Sequence, residues 1–258
     1  MWTPGSLPRH WLGRSSAALV AALASLSVML GGVTAAAAQE ADGDDGLDIV
    51  SETIYRPDVD RSVVAVRASF TITNEQPPVS VGGSTTEYFF DQFVVWLPDD
   101  ATEVRATVDG RDASYVEDEG GERGTRVALV TLPSSLYFGE RAVVDVEYLL
   151  AGGDPREDAV TRINPSYLAF PAWACCDDGQ SSVRIEVPGS FTVDLEGVVD
   201  DVDQRDEGAL QVFEARDITD AERFFLYVFG RNDDGLRQSE VRVGDRDVTV
   251  SAWPDDEA

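Results

Sequence analysis

The chain has 258 residues, 43% of them apolar and 9% aromatic, and a formal charge of −28. That length and composition suffice to bury a hydrophobic core and exclude a wholly disordered chain. So acidic a surface is repelled by nucleic acid and by anionic membrane, which excludes both as partners.

Residues 1–38 open with Arg9 and Arg14, continue through an apolar run over 16–33 and leave through Ala36-Ala37-Ala38. This pattern predicts a secretory signal peptide cut before Gln39, and so a secreted or cell-envelope protein that is off the membrane after cleavage. A retained anchor is the alternative, since the apolar run lies near the lower limit for a span. All twenty basic residues are arginine, a bias expected of a high-GC genome. The acidity fits adaptation to salt or a solubility device, with calcium or an extracellular polymer as the sharper partner reading.

Residues 39–47 form a short acidic leader, and 48–256 read as a single β domain. Strands are predicted at 48–55 and at 62–74, where Val64, Val66, Ala68, Phe70 and Ile72 share one face. A Pro/Gly/Ser loop over 75–86 leads to 87–97, EYFFDQFVVWL, apolar on both faces and therefore expected to be a central, covered strand. Asp109-Gly110 signals a hairpin between 103–108 and 111–116, followed by an acidic loop over 117–124. Further strands are expected at 125–132 and 141–150, joined by the connector LYFGE. Residues 151–160 are the one candidate loop break. Strands then follow at 182–187, 191–195 and 209–213. One helical turn is predicted over 218–222, then a buried strand over 223–229. A last hairpin pairs 239–243 with 248–253 across Gly244-Asp245. A dozen short strands without a long helix predict an all-β fold, either a multi-stranded antiparallel sandwich or a layered, saddle-like sheet.

The only histidine is His10 and there is no lysine. A Ser-His-Asp triad, a Cys-His nucleophile, an H-E-x-x-H zinc site and lysine Schiff-base chemistry are therefore excluded within this polypeptide after signal cleavage. A carboxylate-pair hydrolase stays formally open among 48 acids, but spacing singles out no pair. No catalytic residue, cofactor or cofactor-binding residue is assigned. Four acidic clusters occur: Asp42-Gly43-Asp44-Asp45, Asp177-Asp178-Gly179, Asp200-Asp201-Val202-Asp203 and Asn232-Asp233-Asp234-Gly235. None has the EF-hand spacing, and such clusters commonly mark exposed turns. Asp177 and Asp178, flanked by aromatic residues, are the calcium candidates.

Cys175 and Cys176 are the only cysteines and are adjacent. Neighbouring α-carbons lie about 3.8 Å apart, below the roughly 4.4–6.8 Å that disulfides favour, so a bond between them would make a rigid turn. Two reduced thiols are unusual in an exported protein. Four readings stay open: a vicinal disulfide, buried or free thiols, an intermolecular bridge, and a metal or redox site. No C-x-x-C spacing supports a thioredoxin-like role. Tyr167, Phe170 and Trp173 nearby serve either core packing or a ligand platform.

The run LYFGERAVVDVEYLL, from Leu136 to Leu150, resembles the L-x-x-G, strand, Tyr element in the N-terminal β domain of aminopeptidase-N-type (gluzincin) zinc metallopeptidases. The order of other elements is similar too: a strand closing on Thr73-Asn74, an aromatic strand closing on Leu97-Pro98, the segment Trp173 to Pro188, and Ala252-Trp253-Pro254-Asp255-Asp256. The resemblance spans 48–256 and is to the front half of exported actinobacterial members. It implies a non-catalytic scaffold whose zinc ligands and catalytic glutamate belong to a following domain. Neither H-E-x-x-H nor G-x-M-E-N occurs here, so no catalytic residue carries over. The expectation is a fragment or truncated product partnered by a C-terminal catalytic domain. A stand-alone extracellular binding or adhesion module for carbohydrate, protein or calcium is the alternative.

Overall fold

The computed structural model describes residues 46–118, 124–153, 159–177, 179–198, 201–233, 237–243 and 246–252. The predicted signal peptide, most of the acidic leader, residues 154–158 of the candidate break and the Gly244-Asp245 turn lie outside them.

The described chain is built from strands. β1 (Leu47–Asp58), β2 (Val63–Asn74), β6 (Ala101–Val108), β7 (Arg111–Asp112), β10 (Arg141–Ala151), β13 (Ser181–Pro188), β15 (Asp203–Glu207) and β16 (Leu210–Ala215) form one eight-stranded sheet. Its order is β15-β16-β13-β1-β2-β10-β6-β7. A four-stranded sheet runs β11 (Arg162–Asn164), β12 (Tyr167–Trp173), β17 (Phe225–Arg231), β14 (Thr192–Val198). A three-stranded sheet runs β5 (Phe89–Pro98), β9 (Thr125–Tyr137), β8 (Tyr115–Asp118). Two hairpins, β3 (Val79–Val81) with β4 (Ser84–Thr86) and β18 (Arg237–Val243) with β19 (Arg246–Ala252), stand apart as separate sheets. Among the described residues the pairing is antiparallel except between β1 and β13. The fold is all-β, as the short alternating runs predict.

Period-two patterning decides which faces meet. Val64, Val66, Ala68, Phe70 and Ile72 of β2 are all buried, as are Ala142, Val144, Val146, Tyr148 and Leu150 of β10. Both smaller sheets cover this one face of the large sheet. Phe93 of β5 packs its ring 5.2 Å from Phe70, and Phe170 of β12 stacks 6.2 Å from Tyr55 of β1. The opposite face of the large sheet carries charge. Arg56, Glu186, Arg184, Glu207, Arg205, Glu214 and Arg216 follow one another as a ladder of alternating sign, each joined to the next.

Several elements differ from expectation. β5 is not a central strand covered on both sides: among the described residues it pairs only with β9, and Val94 and Trp96 are exposed. Residues 111–116 do not form one strand. Arg111–Asp112 completes the hairpin with β6 across Asp109-Gly110, where φ is +50° and +72°, and Tyr115–Asp118 crosses to another sheet. The left-handed angles at both turn positions are those a two-residue hairpin needs. The LYFGE connector is partly strand, because β9 runs on to Tyr137 and bends only at Gly139, φ +77°. In place of a full helical turn over 218–222, a single i to i+4 bond links Phe224 N to Asp220 O.

Candidate functional site

The stretch 164–191 joins the two largest sheets. Asn164 Oδ1 accepts from the backbone N–H of Ser166 (2.9 Å) and Tyr167 (2.8 Å), turning β11 into β12. β12 then alternates: Leu168, Phe170 and Ala172 are buried in the core, while Tyr167 and Trp173 lie on the other face. The chain leaves β12 through Cys175-Cys176 and enters β13 of the large sheet.

Polar groups of the large sheet hold this crossing in place. The Tyr55 phenol donates to Trp173 O (3.3 Å) and accepts from Trp173 N–H (3.0 Å). Ser51 Oγ donates to Cys175 O at 2.8 Å, and the Ser181 hydroxyl donates to the same carbonyl. Burial pushes the Tyr55 phenol up to about 12, partly offset by its bond to the Trp173 backbone. Burial also raises its neighbour Tyr148, helped by the proximity of Tyr55. The two buried phenols act as hydrogen-bonding posts, Tyr55 toward the Trp173 backbone and Tyr148 toward Tyr55.

The sulfurs of Cys175 and Cys176 are bonded to each other, and both residues pack against the core. Cys176 takes a left-handed φ of +78°, a conformation that a residue with a β-carbon seldom adopts. Asp177 follows, and its Oδ2 accepts from Ile49 N–H at 2.8 Å. Its carboxylate thus caps the start of β1. Asp178, the other calcium candidate, lies outside the described residues, as do Asp42, Asp44, Asp45, Asp200, Asp234 and Gly235. Asp233 pairs with Arg231 at 2.9 Å. Among the described residues no three His, Cys, Asp or Glu side chains converge, so this donor set does not fit the zinc ion that the resemblance implies for a parent enzyme.

Of the three aromatic candidates, Phe170 belongs to the core. Tyr167 lies opposite Arg231 in register, and Trp173 joins a row that the sequence reading missed. On the outer face of the four-stranded sheet, Trp173 lies 6.2 Å from Phe225, Phe225 lies 6.4 Å from Tyr227, and Tyr227 lies 4.6 Å from Phe229. Residues 223–229 had been expected to form a buried strand. The structure buries Phe224, Leu226 and Val228 there, leaves Tyr227 and Phe229 half-buried and Phe225 exposed. The signal was present in the alternation of aromatic with aliphatic residues along FLYVF. Elsewhere, a cavity of about 160 Å³ is lined by Val108, Arg111, Asp112, Ser114, Thr131 and Leu132. It is smaller than the roughly 300–1,000 Å³ of a typical ligand pocket.

No family model matches the chain, and no curated protein is found similar to it. Solved structures are. The chain is similar in fold to M1 zinc metallopeptidases. It covers 80% of its own length and 47% of an M1 zinc metallopeptidase from Deinococcus radiodurans, at 16% identity and a TM-score of 0.39. Against a two-domain M1 zinc metallopeptidase bound to L-arginine the shares are 81% and 48%, at 16% identity and a TM-score of 0.41. Leukotriene A4 hydrolase from Saccharomyces cerevisiae is matched over 81% of this chain and 32% of its own, at 13% identity and a TM-score of 0.41. The chain thus spans less than half the length of each of these proteins.

Proposed function

We propose that this chain is an exported, non-catalytic β scaffold that works beside a zinc-metallopeptidase catalytic domain and helps to wall its substrate cleft. The observation that carries the reading is the placement of the LYFGERAVVDVEYLL run. Leu136 is buried at the end of β9, Gly139 supplies the left-handed bend, and β10 lies between β2 and β6 of the large sheet with Tyr148 buried beside Tyr55. The residues that carry the resemblance thus link the three-stranded sheet to the eight-stranded one. The composition agrees, since after His10 the polypeptide has no imidazole, and it has no lysine. Metal-assisted hydrolysis by the usual His-bound zinc therefore draws its ligands from elsewhere.

The reading frame beyond Ala258 tests this directly. An in-frame H-E-x-x-H within the next few hundred nucleotides supports the scaffold role, whereas a stop codon with no such motif nearby overturns it. Export is tested separately by sequencing the N-terminus of the protein recovered from culture medium or envelope, with Gln39 expected first.

The aromatic row on the four-stranded sheet favours a second reading, a stand-alone module that binds an extracellular polymer. Sugar rings stack on such rows, and Asp194 and Glu196 lie opposite Phe229 and Tyr227 in register, ready to accept from hydroxyls. Retention of the chain on insoluble cell-wall polysaccharide, lost on combined Phe225→Ala and Tyr227→Ala substitution, is the outcome that reading expects.

A further inference from the structure

The edges of the sheets are not alike. β15 ends one side of the large sheet with the charged sequence DQRDE, β7 ends the other after two residues, and β14 carries Asp194 and Glu196. β11 has three residues and β8 four, two of them acidic. Short or charged edges of this kind resist pairing with another chain. β5 is the exception. It runs ten residues, FFDQFVVWLP, pairs among the described residues with β9 alone, and carries no arginine and only one acid, Asp91. Its single proline is its last residue. A bulge between Phe90 and Gln92 interrupts the strand near its start, and beyond it the backbone donors and acceptors of residues 92–97 form one row that faces away from β9.

The face beside that edge is apolar. Val94 is 46% exposed, Trp96 52% and Val116 64%. In register, Val94, Leu129 and Val116 form one cross-strand row, and Trp96 and Val127 begin the next. Phe89 and Tyr137, their rings 5.6 Å apart, extend the strip at its other end. Both ends are acidic, since residues 87–100 contain Glu87, Asp91, Asp99 and Asp100 and no basic residue. An apolar centre between carboxylates selects a partner with apolar residues in the middle and cations at its ends. A second copy of so acidic a chain does not meet that requirement.

We propose that the open edge of β5 and the outer face of the three-stranded sheet form a docking strip for an extended segment of another protein, apolar at alternate central positions and basic at both ends, which adds to the sheet as a further strand. Main-chain hydrogen bonds to β5 would supply affinity, and side chains beside Val94 and Trp96 would supply selectivity. This proposal does not depend on the metallopeptidase reading.

The test uses the full chain and a fluorescein-labelled peptide, RRVTVTVTRR, followed by anisotropy. Two further versions are N-methylated at one or the other alternate set of central residues. An added strand directs only one set of its amides toward β5, so one methylated peptide should bind at least about tenfold more weakly and the other nearly as well as the parent. Trp96→Glu, an outward and exposed change, should weaken binding to a similar degree. Amides of β5 should gain protection from hydrogen exchange when the parent peptide binds, a readout that does not depend on how well a variant folds. Absence of binding overturns the proposal. So does equal binding by both methylated peptides and the Trp96→Glu variant, which would mean charge attraction alone.

Discussion

The two outer surfaces of this β architecture are finished in opposite ways. The exposed face of the eight-stranded sheet is laced by ion pairs that run from Arg56 to Arg216. The exposed faces of the two smaller sheets present aromatic and branched apolar side chains, Val94, Trp96 and Val116 on one and Phe225 on the other. All three sheets share one core, so the difference is not a matter of stability. A face laced by a chain of ion pairs along and across its strands is built to stay in water, and a face with unpaired apolar rows is built to be covered.

The largest effects should come from the contacts that fasten each small sheet to the large one. Phe170→Ala removes the ring stacked on Tyr55, and Phe93→Ala removes the ring packed on Phe70. Each should cost about 3–5 kcal/mol in denaturant melts. If one variant loses far less than the other, the two small sheets are not equally part of the core, and the comparison must be redrawn with the cheaper sheet as an appendage.

Gly197→Ala comes next. A β-carbon at Gly197 would lie 2.0 Å from Phe225 O and 2.9 Å from its carbonyl carbon. Backbone cannot yield as a flexible side chain does, so β14 must shift off β17. A loss of about 1–3 kcal/mol is expected, the range for overpacking a well-filled site. Because Phe225 anchors the aromatic row, the same variant should disturb Trp and Tyr fluorescence more than Phe93→Ala does.

Much of this arrangement was legible in the sequence, and the misses share a physical cause. Alternation located β2 and β10 almost to the residue, since one face of each is buried and the other is not. The same rule failed for 87–97. Phe93, Val95 and Leu97 face the core, while Val94 and Trp96 are apolar for another reason, and hydropathy cannot separate burial in a fold from exposure awaiting a partner. Asp177 shows the limit for site residues. Its cluster reads as an exposed turn or a calcium candidate, and the bond its carboxylate makes is to Ile49 N–H, a partner 128 positions away that no local pattern reveals. The ion ladder was invisible for the same reason, because its members come from four strands and the residue that follows β16, and no local pattern reveals the order of those strands.

The ladder makes a smaller, pH-dependent prediction. Glu186 is held below the usual carboxylate range chiefly by its bond to Arg56, despite opposing desolvation. Glu214 is lowered chiefly by Arg216, again against desolvation. A carboxylate whose folded value is depressed contributes stability above its unfolded value, near 4.5, and loses it as pH falls through the folded value. Urea midpoints should therefore fall on acidification from about pH 5 downward, in the window where protons are taken up on unfolding. Glu186→Gln should lower the midpoint at neutral pH and flatten that acid limb. High salt should shrink the effect, since Arg56 is half exposed. An acid limb unchanged in Glu186→Gln would mean that the ladder decorates the sheet without stabilising it.

The smallest effect on global stability should come from the most conspicuous bond. A disulfide stabilises mainly by restricting the unfolded chain, in proportion to the loop it closes, and Cys175–Cys176 joins adjacent residues. Without reductant, alkylation of the unfolded protein should leave both cysteines unlabelled. With reductant both should label, while the melting midpoint of the folded chain moves little. The consequence should instead be local. Once the sulfurs are separate, nothing covalent holds Cys176 at φ +78°, and the Cys175 carbonyl can turn away from the hydroxyls of Ser51 and Ser181. Hydrogen exchange should then quicken at Ile49, whose N–H is capped by Asp177, and at the first residues of β13, while the centre of β2 keeps its protection. Quickening across both sheets would make the cysteine pair a global fastener, and two labels without reductant would remove the bond altogether.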